Sequence, residues 1–171
     1  QALACTMDLL DTPSMDATVD SVLAHFGRVD LLINNAVYQD PEMNARVAQL
    51  SAEALQRTFA GNVGAPLHLV QRLLPVFSSQ GGGQVINVAS GAGAADSPLP
   101  PDAGGWSFAY GASKAALAPL SGFINLEHGR EGVRAFTVNP GLVSTEAVTA
   151  TLGDGGLLEQ RYGAMSPQRI A

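Results

Sequence analysis

The sequence predicts an α/β fold, a doubly wound parallel sheet with helices on both faces. Four short runs rich in branched apolar residues, LACTM (3–7), VDLLI (29–33), QVINVA (84–89) and VRAFTV (133–138), have the composition of buried strands. Helical patterns lie between them, and such alternation is what parallel βαβ units require. A conspicuous Gly- and Pro-rich segment follows the third run, on the side of the sheet where open α/β folds place ligands.

The elements follow in order. Met15, Val19, Val22, Leu23 and Phe26 form an apolar stripe close to the 3.6-residue period, so the first helix is expected from about Ser14 to Phe26, with Gly27 as its stop. A second helix starts near Ser51, where Ser-x-Glu falls one residue short of a capping box, and runs through Leu55, Phe59, Leu67, Val70 and Leu74 toward Phe77. Pro66 lies inside that span and predicts a kink or break. Gly81 to Gly83 predict a turn into the third strand. The segment SGAGAADSPLPPDAGGW (90–106) is a loop. The third helix spans about 107–128 and contains YGASKAALAPL, in which Pro119 should free the Ala115 carbonyl and kink the helix. Beyond Thr149, a Gly-rich turn and a short helix near 157–162 are expected.

Composition narrows the function classes. A chain of 171 residues, 46% hydrophobic and 14% charged, can build one cored globular domain. Nine basic against fifteen acidic residues give a net charge of −6 with no basic run, which excludes nucleic acid as an expected partner. No stretch is apolar for the roughly 20 residues of a membrane span, and no signal peptide is visible, so a cytoplasmic protein without membrane partners is expected. Cys5, the single cysteine, allows no internal disulfide and is expected as a small buried residue. His25, His68 and His128 lack metal-ligand spacing, so no metal is expected.

Two nucleotide or hydrolase signals fail on inspection. GAGAAD (91–96) is followed by prolines, whereas a phosphate-binding glycine turn must open a helix. Neither Ser90 nor Ser121 has the flanking glycines of a nucleophile elbow.

Tyr110 and Lys114 stand out because Lys114 is the only lysine in the chain, the other eight basic residues being arginine. Four residues apart on one helix, they share a face. Bringing a phenol from a pKa near 10 to about 7 requires roughly 4 kcal/mol. An ammonium about 4 Å away supplies about that much at an effective dielectric of 20. Ser90, at the C-terminal end of the third run, could hydrogen-bond a carbonyl held by the same phenol.

With these residues in place, the chain resembles the short-chain dehydrogenase/reductase family along nearly its whole length. MDL (7–9) resembles the Asp-bearing strand end beside the adenine, GRVDLLINNA (27–36) the Asn-Asn-Ala strand, and FAGNVGAP (59–66) the helix with the catalytic asparagine. QVINVAS, YGASK and VNPGLVSTE (138–146) match the serine, tyrosine–lysine and Pro-Gly segments.

The resemblance implies a single Rossmann-like oxidoreductase domain over 1–171, incomplete, with strands equivalent to the family's third to sixth. It implies hydride transfer between NAD or NADP and a medium-sized, fairly apolar alcohol or ketone. Tyr110 would exchange the proton, Ser90 would orient the substrate oxygen, Lys114 would hold the ribose, and Asn62 would keep the helix kink and a water chain to the lysine. Asp8, Leu9, Asn35, Ala36, Pro140, Gly141, Val143 and Thr145 would line the cofactor along with Tyr110 and Lys114. Gly91, Leu99, Trp106, Phe108 and Leu142 would line the substrate pocket. Homo-oligomerisation, as dimer or tetramer, is likewise implied.

Three departures are visible. Val37 replaces the glycine that usually follows Asn-Asn-Ala, the Ser90–Tyr110 interval carries extra Pro-Gly residues, and the glycine-rich turn of the family has no counterpart in these residues. The chain is therefore expected to be part of a longer enzyme; the alternative is a non-catalytic fragment serving as a binding or interaction module.

Overall fold

The computed structural model describes residues 2–141 and 143; Leu142 and Thr145, assigned above to the substrate pocket and cofactor, and the helix expected at 157–162 lie outside the described residues. Within them, β1 (Leu31–Asn34), β2 (Gly83–Val88) and β3 (Val133–Val138) form a parallel sheet in the order β1-β2-β3. The α/β expectation is met, and β3 occupies the residues that branched composition assigned to it.

The first expected strand is not one. Residues 2–7 are without regular structure, and none of the described strands pairs with them. Apolar composition alone cannot make a strand, because ladder hydrogen bonds need a neighbour, and none of the described strands lies beside this segment. Cys5 is consequently exposed rather than buried.

Helix α1 (Thr12–Phe26) ends as expected at Gly27, whose φ of 76° puts it in the left-handed region, and its N–H returns to the Leu23 carbonyl at 2.8 Å. The second helix breaks in two. Ser51 caps α2 (Ala52–Phe59) by accepting the Ala54 N–H at 3.1 Å. A π-helical turn follows at Ala60–Gly64, and α3 (Ala65–Ser79) starts with Pro66 in its first turn, where a missing N–H costs nothing. The third helix also divides, into α4 (Phe108–Leu117) and α5 (Leu120–His128), with Pro119 as the cap of α5.

The core joins α1, α3 and α5 to one face of the sheet through Met15, Val19, Leu69, Val70, Leu73, Phe77, Val85, Ile124 and Val133. On the other face Leu31, Ile33, Phe136 and Val138 remain exposed. At the sheet's lower end Gly82 and Gly132 meet backbone to backbone: a Cβ on Gly82 would stand 2.6 Å from the Gly132 carbonyl oxygen. That close approach fixes the predicted turn before β2.

The covered face carries a polar row. Asn34, Asn87 and Thr137 are register partners across the three strands. Asn34 donates to Asn87 at 2.9 Å, Asn87 to Ser121 at 2.9 Å, and Thr137 reaches both Ser121 and the Ala118 carbonyl, at 2.8 and 2.9 Å. The row thus holds the helix break at Pro119 onto the sheet and supplies a partner to a carbonyl beside the break.

Candidate active site

Four segments converge on α4. Its start is set by Ser107, which accepts the Tyr110 N–H at 3.2 Å. From β2, the Val88 carbonyl accepts Lys114 Nζ at 2.8 Å, so the lysine is buried with its head at the strand's C-terminal end. No carboxylate among the described residues pairs with it, and burial pulls its pKa below the ordinary 10.5.

The turn after β2 lies along the same helix. A Cβ on Gly111 would stand 2.9 Å from the Ala92 carbonyl oxygen, and one on Gly93 would stand 2.6 Å from the Ala115 nitrogen. Small residues at 93 and 111 therefore let the turn that begins at Ser90 press onto the helix of Tyr110 and Lys114. Ser90 Oγ accepts the Ala92 N–H at 3.2 Å, which leaves its hydroxyl proton free to donate. Tyr110 is half-buried in this wall.

Asn62, buried in the π turn, joins from the third side. Its Nδ2 donates to Ser113 Oγ at 3.3 Å, and its Oδ1 accepts the Tyr38 N–H at 2.8 Å. Tyr38 belongs to a segment anchored by Asp40, whose side chain is buried and accepts from Arg57 Nε at 2.7 Å and from the Glu42 N–H at 2.9 Å. The Arg57 guanidinium holds the Asp40 carboxyl below its ordinary range.

The residues assigned to the cofactor are distributed around the same edge. Asp8 and Asn35 are exposed, with Asp8 Oδ1 accepting the Leu10 N–H at 2.9 Å; Leu9 packs against the core; Ala36 and Gly141 are exposed, Pro140 and Val143 half-buried. Leu99, Trp106 and Phe108 come together in an open groove of about 470 Å³ that also includes Ala45, Arg46 and Val47. Gly91 does not line this groove and sits instead on the Ser90 turn. Arg46, Asp102, Tyr38 and Asp40 carried no signal in the sequence, because their partners are distant in the chain or belong to backbone.

A parallel α/β sheet with a serine at a strand end, and a tyrosine and a buried lysine one turn apart on the helix beside it, defines an α/β protein whose polar groups gather at the C-terminal end of β2. The chain belongs to the short-chain dehydrogenase family: the family model described as short chain dehydrogenase matches residues 1–154.

Among curated relatives, it is 39% identical over 162 residues to 2,3-dihydro-2,3-dihydroxybenzoate dehydrogenase of Escherichia coli, covering 95% of this chain and 61% of that protein. It is 31% identical over 132 residues to 7alpha-hydroxysteroid dehydrogenase of Bacteroides fragilis, covering 77% and 48%. A short-chain dehydrogenase structure from Streptomyces avermitilis superposes with a TM-score of 0.74 at 27% identity, over 98% of this chain and 62% of that one. A 7 alpha-hydroxysteroid dehydrogenase complexed with NADH and 7-oxo glycochenodeoxycholic acid shares the fold, with a TM-score of 0.82 at 24% identity over 99% and 64%. The chain thus spans about half to two-thirds of the length of these proteins.

Proposed function

We propose that these residues form part of one Rossmann-like domain of an NAD- or NADP-dependent oxidoreductase, which interconverts a secondary alcohol and a ketone with Tyr110 as acid/base. The observation that carries this reading is Lys114: a buried ammonium with no carboxylate partner among the described residues, on the helix face of Tyr110, with one of its three protons on the Val88 carbonyl. Two protons remain for a ligand's hydroxyls, which is the donor set a nicotinamide ribose needs. Bound dinucleotide would supply or accept the hydride. This chain would do the rest: Lys114 favours the phenolate of Tyr110, Tyr110 exchanges the proton with the substrate oxygen, and Ser90 donates a hydrogen bond to that oxygen.

Asn62 supports the reading as a brace, since its amide joins the π turn to both α4 and the Tyr38 backbone. Relatives named for a hydroxysteroid and a dihydroxybenzoate support an alcohol substrate of medium size. The same reading takes the protein as a cytoplasmic homo-oligomer.

The test follows reduced-cofactor absorbance over a panel of secondary alcohols, together with cofactor-induced thermal stabilisation. Turnover is expected, and Tyr110→Phe should abolish it while sparing the stabilisation. Stabilisation without turnover on any alcohol would favour a non-catalytic binding module, and neither signal would sink the reading altogether.

A further inference from the structure

The groove beside α4 has walls built from Val47, Pro98, Leu99, Pro101, Trp106 and Phe108 and, among the described residues, one charged lining side chain, Arg46. The walls are fixed. Ser97 Oγ accepts the Trp106 N–H at 2.9 Å and donates to the Leu99 carbonyl at 2.7 Å, and Ser107 Oγ ties the loop to the Met43 carbonyl on the opposite bank. Trp106 also reaches α4: its Cδ1 lies 3.4 Å from where a Cβ of Gly111 would stand, one residue after Tyr110.

Arg46 is held differently. Its guanidinium grips both carboxylate oxygens of Asp102, Nε to Oδ1 at 3.0 Å and Nη2 to Oδ2 at 2.8 Å, across the two loops. Both side chains are more than half exposed, 56% and 61%. An exposed ion pair of this kind contributes little net stability. An arginine fork is nevertheless the side chain best shaped for a planar carboxylate. Asp102 therefore fills the fork weakly, and a ligand carboxylate could take its place in the same bidentate geometry while its apolar body enters the groove.

We infer that Arg46 is the specificity-determining residue of this groove and that it recognises a carboxylate on an apolar substrate, with Asp102 as an exchangeable internal stand-in. The inference rests on the oxidoreductase reading of Tyr110 and names its substrate class: apolar-bodied alcohols or ketones bearing an acid group.

Trp106 is the only tryptophan in the chain, so its fluorescence reports the groove without any turnover. The probes are cyclohexanecarboxylate and cyclohexanecarboxamide, which share a shape and differ in charge. The carboxylate is expected to give a saturable change at a concentration at least ten-fold below the amide. Arg46→Gln should weaken the carboxylate at least ten-fold and leave the amide unchanged, whereas Asp102→Asn should tighten the carboxylate several-fold. Both positions are exposed, and unchanged far-UV circular dichroism serves as the folding check.

Equal affinity for acid and amide, indifference to Arg46→Gln, or no binding of either probe overturns the inference. Carboxylate binding in a protein that turns over no alcohol sustains the groove assignment and removes the oxidoreductase reading, so the two fail separately.

Discussion

The side-chain oxygen of Asn62 accepts the backbone N–H of Tyr38 at 2.8 Å, while the other end of the same amide donates to Ser113 on α4. One buried side chain therefore ties together the π turn, the loop after β1 and the helix that bears Tyr110 and Lys114. Asn62→Ala would leave the Tyr38 N–H without this acceptor and is expected to cost about 1–3 kcal/mol. Urea unfolding checks the stability loss. Under the proposed function, turnover should fall by more than the affinity for cofactor does.

Gly61 has a sharper requirement. A Cβ there would stand 2.3 Å from the Tyr38 Cβ, a contact that only backbone movement relieves. Gly61→Ala should destabilise the fold by about 1–3 kcal/mol. Gly64, in the same turn, has only the Phe59 carbonyl oxygen at 3.9 Å near its Cβ position, so Gly64→Ala should be neutral or gain about 0.5–1 kcal/mol. Thermal denaturation of the two variants side by side reads the contrast; equal effects would tell against the Tyr38 contact.

Asp40 predicts an acid-side dependence. Hydrogen bonding to Arg57 lowers its pKa below the ordinary 3.8, so the folded state binds the proton less readily than the unfolded one. The resulting stability is fully present above about pH 3.8 and fades as pH falls through the lower folded value. Asp40→Asn should cost about 1–3 kcal/mol at pH 7, and the gap between wild type and variant should narrow as pH drops below 3.8. Urea midpoints at pH 7 and pH 3 measure that gap.

Lys114 predicts the opposite flank. Its folded pKa is depressed from 10.5 by burial, so the unfolded chain holds more protons between the folded value and 10.5, and stability rises with pH across that window. Lys114→Met should remove this rise. At pH 7 its stability should stay within about 1 kcal/mol of wild type, because relief of the buried charge is offset by the Val88 carbonyl's lost partner. Cofactor at 100 times its dissociation constant should stabilise the wild type by about 2.7 kcal/mol and the variant by far less. Chemical denaturation with and without NAD or NADP checks both statements.

Local chemistry explains which features were readable in advance. β3 coincides with its branched apolar run, and Gly27 ends α1 with the left-handed turn that only glycine adopts cheaply. Both helix breaks were legible from their prolines, although the wide turn at Ala60–Gly64 lies just ahead of Pro66 and depends on Asn62 and Tyr38 rather than on the ring itself. LACTM misled because a strand is a property of two segments, and composition describes one. The apolar residues Leu99, Trp106 and Phe108 could be picked out as unusual in a loop. The Arg46–Asp102 pair could not, since two ordinary surface charges 56 positions apart carry no local signature.

The wide turn also governs how the helix pair can change in length. Ala54, Thr58, Asn62, Pro66 and Val70 are all buried at intervals of four, and in an unbroken α-helix such a stripe would drift sideways by about 40° at each step. The extra backbone taken up at Ala60–Gly64 cancels part of that drift and keeps Asn62 in phase with the core face of α3. Deleting one residue within α2 or α3 would rotate every downstream side chain by about 100°, whereas deleting one within the wide turn would let it close to a regular α turn of about the same arc and leave the downstream phase nearly unchanged. Substitutions elsewhere alter single contacts, but this short stretch sets the phasing of two helices, so loss of one residue should be better tolerated there than in either flanking helix, at the expense of the Asn62–Tyr38 contact.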